Sequence, residues 1–201
     1  MDPSAPHSDG DHPHGPQPDH RIPKMFHSFL TGQPFTQCIV CERNLLEPGV
    51  QYMVEKAVKK ADVIIEYAMC MGCMQKKFEQ LSLESRARIE SYFAQHADPH
   101  KRIQGLLDRY HGFNLNGWMG ECMISGQARD EMEEYTVVGA FQGTDLLVGP
   151  TPYIIGLEAR AEMSELLSPQ TKDEMDNFID ENFGLPPELK DLFKERDLVL
   201  V

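Results

Sequence analysis

Two pairs of cysteines, each with C-x2-C spacing, carry the clearest chemical signal in the sequence. The first pair is Cys38 and Cys41, the second is Cys70 and Cys73, and 28 residues separate the two pairs. Four thiolates meet the preference of Zn²⁺ for a tetrahedron of soft ligands, and a tight turn within each pair brings both sulfurs to one ion. We therefore predict one structural Zn²⁺ per chain, bound by all four cysteines, with no open position for catalysis.

The residues around these cysteines leave other chemistry open. Met69, Met71 and Met74 flank the second pair, and thioethers with thiolates also suit Cu(I). A redox role for either pair is disfavoured because no βαβ pattern accompanies it. The fifth cysteine, Cys122, makes the cysteine count odd, which argues against a disulfide scaffold and for a reducing compartment. We expect Cys122 to be a small buried side chain.

The elements that must position the cysteines can be read from residue periodicity. Residues 52–58 alternate apolar and polar side chains imperfectly. After a polar break, a β-branched run at residues 63–65 continues to Tyr67, and the two segments together predict a hairpin. The spacing becomes helical after Cys73, and Ser82 is a candidate N-cap within that region. A hairpin between the two cysteine pairs would return the chain so that the second pair meets the first.

This order of elements resembles the treble-clef group of zinc domains over residues 36–82. The resemblance rests on the four cysteines and on the sequence C-x2-C, hairpin, C-x2-C, helix. It implies metal binding but no particular activity, since modules of this kind serve in ribosomal proteins, nucleases, adaptors and transcription factors. A two-zinc RING pattern and a His-Asn-His nuclease pattern are both missing from the sequence.

The second half of the chain resembles the first at an offset of 83 to 86 residues. Residues 52–58 match residues 135–141, and residues 62–65 match residues 145–148. The other matching positions are Cys38 with Cys122, Cys41 with Ser125, Leu81-Ser82 with Leu167-Ser168, and Ile89, Tyr92 and Phe93 with Met175, Phe178 and Ile179. We interpret this pattern as an internal duplication whose second copy has lost its metal.

The predicted fold class is therefore α+β, with two hairpin-plus-helix lobes. We place a zinc lobe at residues 25–97, a linking helix and loop at 98–120, and an acidic, metal-free lobe at 121–201. Residues 1–24 hold six of the 14 prolines and four of the eight histidines, with little apolar content, and we predict a disordered tail there. Pro186-Pro187 predicts the start of a last helix, and we expect the apolar end of the chain to dock on its own domain.

Charge and motifs limit the functions to consider. The formal net charge is -13, which disfavours general phosphate-backbone binding, and no apolar run approaches the length of a membrane span. Most of the negative charge lies after residue 100, which suggests a surface for a basic protein partner. The sequence contains no nucleophile elbow, phosphate-binding glycine loop or H-E-x-x-H motif, and His96 and His100 form only a weak additional ligand pair.

The resulting hypothesis is a cytoplasmic, zinc-stabilised protein-interaction or adaptor protein without catalytic activity of its own. Three alternatives stay open at this point. The first is an enzyme with its site between the two lobes. The second is a metal carrier that uses the histidine-rich tail and the Met-Cys cluster. The third is a nucleic-acid-binding regulator with a local basic patch formed by Lys56, Lys59, Lys60, Lys76 and Lys77.

Overall fold

A five-stranded antiparallel sheet organises the chain in the computed structural model, which describes residues 21–60 and 62–184. The strands are β1 (Gln51–Lys59), β2 (Asp62–Cys70), β3 (Glu134–Gln142), β4 (Asp145–Leu147) and β5 (Tyr153–Gly156). Their order is β2-β1-β3-β4, and β5 also pairs with β3 beyond the end of β4. The predicted first hairpin is confirmed, and it is longer than its sequence pattern indicated.

Six α-helices accompany the sheet in the described residues, and four of them begin at a polar side chain. Ser82, Asp98, Asn114 and Ser168 each accept a hydrogen bond from the backbone N–H three residues on, which satisfies a donor that the helix leaves unpaired. The helices are α1 (Met71–Gln80), α2 (Leu83–His96), α3 (Pro99–Tyr110), α4 (Leu115–Trp118), α5 (Leu157–Glu165) and α6 (Pro169–Phe183).

The two hairpins join into one sheet through the β1–β3 ladder. Glu55 lies opposite Val138 near the middle of this ladder, and these two residues are 83 positions apart in the chain. One buried apolar cluster includes Tyr67 and Phe178, and a second includes Tyr153 and Tyr92. Each cluster thus contains a strand tyrosine of one half and a helix residue of the other half, so the halves share their core.

Two predicted details differ in the structure. The strand expected at residues 145–148 is present as β4, but a further strand that was not predicted, β5, follows it. The loop between them contains Pro150 and Pro152, which lack the N–H that a continuous ladder needs. The loop expected at the end of the linking region, residues 98–120, contains the helical turn α4, since the Asn114 side chain accepts from Gly117 N at 2.9 Å. Trp118 in that turn is buried.

Some residues that were assigned to the predicted tail make contacts with the fold. Arg21 forms an isolated antiparallel bridge with Asp145, and His27 Nε2 lies 3.1 Å from the carbonyl of Ile22. Residues 21–24, which were assigned to the tail, therefore contact the fold. The rest of the predicted tail, at residues 1–20, and the last predicted helix, within residues 185–201, lie outside the described residues. No helix in the described ranges has the length and apolar character that a membrane crossing requires.

Candidate functional site

The four cysteines of the two C-x2-C pairs meet at one point. The Sγ atoms of Cys38, Cys41, Cys70 and Cys73 all lie within 4.8 Å of one another, and Cys41 Sγ is 3.7 Å from Cys70 Sγ. A tetrahedron with Zn–S bonds of about 2.3 Å has sulfur atoms about 3.8 Å apart. The donor set and its spacing thus fit one tetrahedral metal ion, and three of the four cysteines are buried.

A tight turn at residues 37–44, which we name the first knuckle, positions the first pair. Cys38 N donates to Arg43 O, Glu42 N donates to Cys38 O, and Glu42 takes a left-handed backbone conformation with φ of 57°. Ile39 N also donates to Ala68 O. These bonds hold the knuckle against the end of β2, where the second pair begins.

The second pair stands at the start of α1. Cys70 is the N-cap residue of this helix, and Cys73 lies in its first turn, where the helix dipole favours negative charge. Cys70 N donates to Cys38 Sγ at 3.4 Å. Hydrogen bonds of this kind orient thiolates and stabilise their charge.

The environments of Cys38 and Cys73 shift the pKa values of these two thiols in opposite directions. Burial acts to raise the pKa of Cys38, but the backbone N–H groups of Cys70, Cys41 and Val40 lower it to about 7. Burial raises the pKa of Cys73, and the neighbouring sulfurs raise it further. Four clustered thiolates are mutually repulsive, so a divalent cation at their centre is the charge that this arrangement lacks.

A second turn at residues 121–128, the second knuckle, repeats the backbone pattern of the first. Cys122 N donates to Gln127 O, Gly126 N donates to Cys122 O, and Gly126 has a positive φ of 71°. Gly156 N donates to Cys122 Sγ at 3.3 Å. Each bond has its counterpart in the first knuckle at an offset of 84 to 86 residues. Ser125, Gly156 and Ala159 occupy the positions that correspond to the other three cysteines.

The start of α2 and the start of α6 are bonded to each other reciprocally. Ser82 N donates to Thr171 Oγ1 at 3.1 Å, and Ser168 N donates to Ser85 Oγ at 2.8 Å. The hydroxyls of Ser82 and Ser168 lie 2.9 Å apart. In both halves the residue that caps its own helix also donates its backbone N–H to a hydroxyl of the other helix.

An apolar groove of about 520 Å³ adjoins the cysteine cluster, and we name it the α1 groove. One wall is a full face of α1 that includes Met71, Met74 and Phe78, at helical spacing from the first turn to the last. Met53, Met69, Tyr67 and Tyr153 contribute from the sheet, and Met175 and Glu174 contribute from α6. The groove was not predicted from the sequence. The signal that pointed to it was the group of three methionines around Cys70, all of which line the groove.

The titratable groups of the groove floor are unsuited to acid–base chemistry near neutral pH. Burial raises the pKa of Tyr67 well above its usual range, and the carboxylate of Glu55, to which its hydroxyl donates, raises it further. Burial likewise raises the pKa of Tyr153. Both phenols therefore stay protonated.

The lysines considered as a basic patch do not form one surface. Lys56 is buried, with its Nζ 3.0 Å from Glu66 Oε2. Lys59 and Lys60 lie near Glu134 and Glu133, at 3.8 and 3.6 Å. Lys77 lies over the Phe178 ring, and Lys76 is exposed on α1.

The histidines considered as ligands are not gathered around a metal position. His96 Nδ1 lies 2.9 Å from Tyr92 O, and its ring stacks on Tyr92. Within the described residues, the metal-ligating side chains that come together are the four cysteines.

Comparison of the chain with protein-family models, with curated proteins and with solved structures gives no match. The class that the fold and the site define is a mixed α/β protein with a four-cysteine cluster compatible with a metal site.

Proposed function

We propose that this protein is a zinc-stabilised protein-interaction module with no catalytic activity of its own, and that its binding site is the α1 groove. The observation that carries the proposal is the position of α1. This helix forms one wall of the groove, and Cys70 and Cys73 tie its first turn to the first knuckle. A Zn²⁺ ion bound by the four thiolates would hold that wall in place.

The dimensions of the groove suit a helix of a partner protein. The wall extends along all ten residues of α1, which is about 15 Å at 1.5 Å per residue. Side chains at this spacing form the type of groove that receives the apolar face of an amphipathic helix. Methionines supply much of the lining, and their flexible side chains adapt to the shape of a partner.

Charge favours a partner helix with basic residues beside its apolar face. The α6 side of the groove carries Glu174, and Asp173 and Glu181 are exposed on the same helix. The whole chain has a formal net charge of -13. Complementary charge of this kind speeds association and selects among partners more than it adds affinity.

The corresponding space in the second half is filled, which supports a specific role for the groove. At an offset of 86 residues, Met74 corresponds to Arg160, which is buried and donates to Thr136 Oγ1 and Glu134 Oε1. Lys77 corresponds to Met163, which is also buried. The plan of the fold therefore does not require an open groove beside α1.

The finer architecture that we propose is an internal duplication. Three observations support it: the paired knuckles, the left-handed turn residues Lys60 and Gly143, and the reciprocal bonds between the start of α2 and the start of α6. Each correspondence has an offset of 83 to 86 residues, and two copies of one folding unit produce such a set through a single event.

The enzyme alternative is less well supported than an interaction module. The α1 groove does lie between elements of the two halves, where that alternative would place its site. However, its floor is apolar apart from phenols whose pKa values are raised, and general acid–base catalysis requires groups that titrate near the working pH.

Site-specific photo-cross-linking tests the proposed function. A photoreactive residue at Gln75, on the rim of the α1 groove, should capture a partner through an amphipathic helix, whereas one at Leu83 should not. Leu83 is a matched control because it is 76% exposed on α2 and lies outside the groove.

The captured protein is then purified and titrated against groove variants. Met74→Glu should weaken binding by at least about tenfold, corresponding to about 1.4 kcal/mol, and Leu83→Glu should leave it unchanged. Equal capture from both positions, or an affinity unchanged by Met74→Glu, would refute the groove as the binding site.

A further inference from the structure

We infer that the last 17 residues, Leu185 to Val201, dock on the first half of the protein as the counterpart of α3. Their docking surface is an apolar patch formed by Phe29, Leu30, Val63, Ile64 and Ile65. The inference takes from the proposed duplication only the identity of the counterpart element. The patch and the point at which the chain leaves α6 are independent observations.

The apolar patch is exposed at Phe29 and Leu30, whereas Val63 and Ile64 are partly buried and Ile65 is buried. Phe29 is 66% exposed and Leu30 is 89% exposed. The loop that carries them is held by Glu66, whose carboxylate accepts from Ser28 Oγ and from Phe29 N at 2.8 Å each. Two large apolar side chains on so well anchored a loop are unusual on a free surface, because water contact with apolar area is unfavourable.

The described chain ends beside this patch. Phe183 is the last residue of α6, and it lines a recess of about 180 Å³ together with Phe29, Leu30 and the residues of β2. Gly184 follows with φ of 54°, a left-handed conformation that ends the helix and turns the chain. Seventeen residues then remain, which is more than enough chain to cross the patch.

In the second half, α3 covers the equivalent surface. Arg102 of α3 donates to the carbonyls of Trp118 and Pro152, at 2.8 and 3.1 Å, and its guanidinium lies over the Trp118 ring. Pro152 corresponds to Glu66 at an offset of 86 residues. Phe113 corresponds to Phe29 at an offset of 84 residues, and it is half-buried against Trp118.

The sequence of the last segment repeats the apolar pattern of α3. Ile103, Leu106 and Leu107 correspond to Leu189, Leu192 and Phe193 at the same offset of 86 that relates Ser82 to Ser168. Apolar residues at i, i+3 and i+4 form one face of a helix. Leu106 is buried in the structure, so its counterpart Leu192 is the residue expected to contribute most to docking.

Photo-cross-linking of the full chain tests this inference. A photoreactive residue at Leu30 should cross-link to residues 185–201 of the same molecule, and one at Gln75 in the α1 groove should not. A mixture of isotopically light and heavy protein identifies the donor chain. Light–heavy cross-links, cross-links from Gln75 to the segment, or no cross-link from Leu30 to it would each overturn the inference.

A substitution within the segment provides the second measurement. Leu192→Asp should abolish the Leu30 cross-link and raise tryptic cleavage after Lys190 and Lys194 several-fold, with the zinc content unchanged. Lys190→Gln is the control for the cross-link. Lys190 lies between Leu189 and Leu192 but is not one of the apolar residues, so this change should preserve the cross-link. If these experiments fail, the proposal that the α1 groove binds a partner still stands, because that proposal is tested with other variants.

Discussion

At the scale of single residues, the four cysteines differ sharply from the fifth. Cys41 and Cys73 belong to a cluster whose sulfurs lie within 4.8 Å of one another. Cys122 accepts hydrogen bonds from Ser125 N and Gly156 N, at 3.5 and 3.3 Å, and has no second thiol beside it in the described chain. Whether a cysteine here belongs to a candidate metal site or to the core therefore depends on whether the three positions around it also carry cysteine.

We expect Cys41→Ser or Cys73→Ser to lose zinc and to unfold the first half, since structural zinc contributes on the order of 10 kcal/mol to folding. Cys122→Ser should cost only about 1–2 kcal/mol, as an ordinary core substitution. Native mass spectrometry and thermal unfolding measure both effects. Equal zinc loss in all three variants would mean that Cys122 is a ligand.

Glu66 is the residue whose charge state should influence stability at acidic pH. Burial opposes ionisation of its carboxylate, but hydrogen bonds from Phe29 N and Ser28 and the nearby Lys56 ammonium lower its pKa. The folded state therefore favours the ionised form. Its stabilising effect is fully present above the pKa of the unfolded chain and is lost as the pH falls through the lower pKa of the folded protein.

Glu66→Gln should accordingly destabilise the protein at pH 7 by about 1.5–3 kcal/mol, the usual value for hydrogen bonds to a charged group. The difference from the unmodified protein should shrink as the pH drops below about 4.3, the ordinary pKa of glutamate. Urea unfolding of both proteins across this range measures it, with the exposed Glu165→Gln as control. A difference that is independent of pH would contradict the role of the charge.

At the scale of elements, the two knuckles show how one backbone pattern serves two purposes. The first knuckle meets the start of α1 through thiols, whereas the second meets the start of α5 through backbone bonds and apolar packing. Gly156 is the N-cap residue of α5, just as Cys70 is that of α1. The place in the second half that corresponds to the cysteine cluster differs from a complete ligand set at only three residues.

The combined substitution Ser125→Cys, Gly156→Cys and Ala159→Cys should therefore create a second zinc site with Cys122. A side chain at Gly156 would first meet Met132 Sδ, at 2.6 Å, and this flexible group can move aside. Native mass spectrometry should find two zinc ions per chain. A folded triple variant that binds a single zinc would contradict the proposed duplication, and Ser125→Cys alone is the control that should not bind a second ion.

At the scale of the whole molecule, one sheet joins two halves with different surfaces. The β1–β3 ladder runs through the centre, and α2 and α6 each pack over strands of the opposite half. Because the core is shared in this way, loss of the metal site should lower the stability of the structure beyond the first knuckle.

The purified protein should carry one tightly bound zinc ion per chain, because the described residues contain one complete set of thiol ligands. Native mass spectrometry combined with elemental analysis measures the number and the identity. Two equally tight zinc ions would mean that the second half binds metal after all. An iron–sulfur absorption spectrum would show that the cysteines bind a different cofactor.

Deletion of residues 1–20 should leave both the zinc content and the melting temperature unchanged. Among the described residues, contacts with the fold begin at Arg21, and the deleted residues contain little apolar surface to bury. Deletion of residues 1–26 is the matched comparison, because it also removes Phe26, which is fully buried against Phe141. Equal melting temperatures for the two truncations would contradict this boundary.

The sequence by itself determined the local features of this protein. The imperfect alternation in residues 52–58 predicted β1, the polar residue Ser82 predicted a helix start, and the C-x2-C spacing predicted a shared metal position. Each of these depends on interactions within a few residues or on ligand chemistry that spacing alone constrains. The offset between the halves was also visible, because it is a property of the order of residues.

Only the tertiary structure decided how these elements meet. The joining of two hairpins into one sheet depends on the β1–β3 register, and the α1 groove depends on Met74 facing open space where Arg160 is buried. The burial of Lys56 with Glu66 likewise could not be read from a run of lysines. Such contacts join residues distant along the chain, and their energies depend on burial and partners that no local pattern encodes.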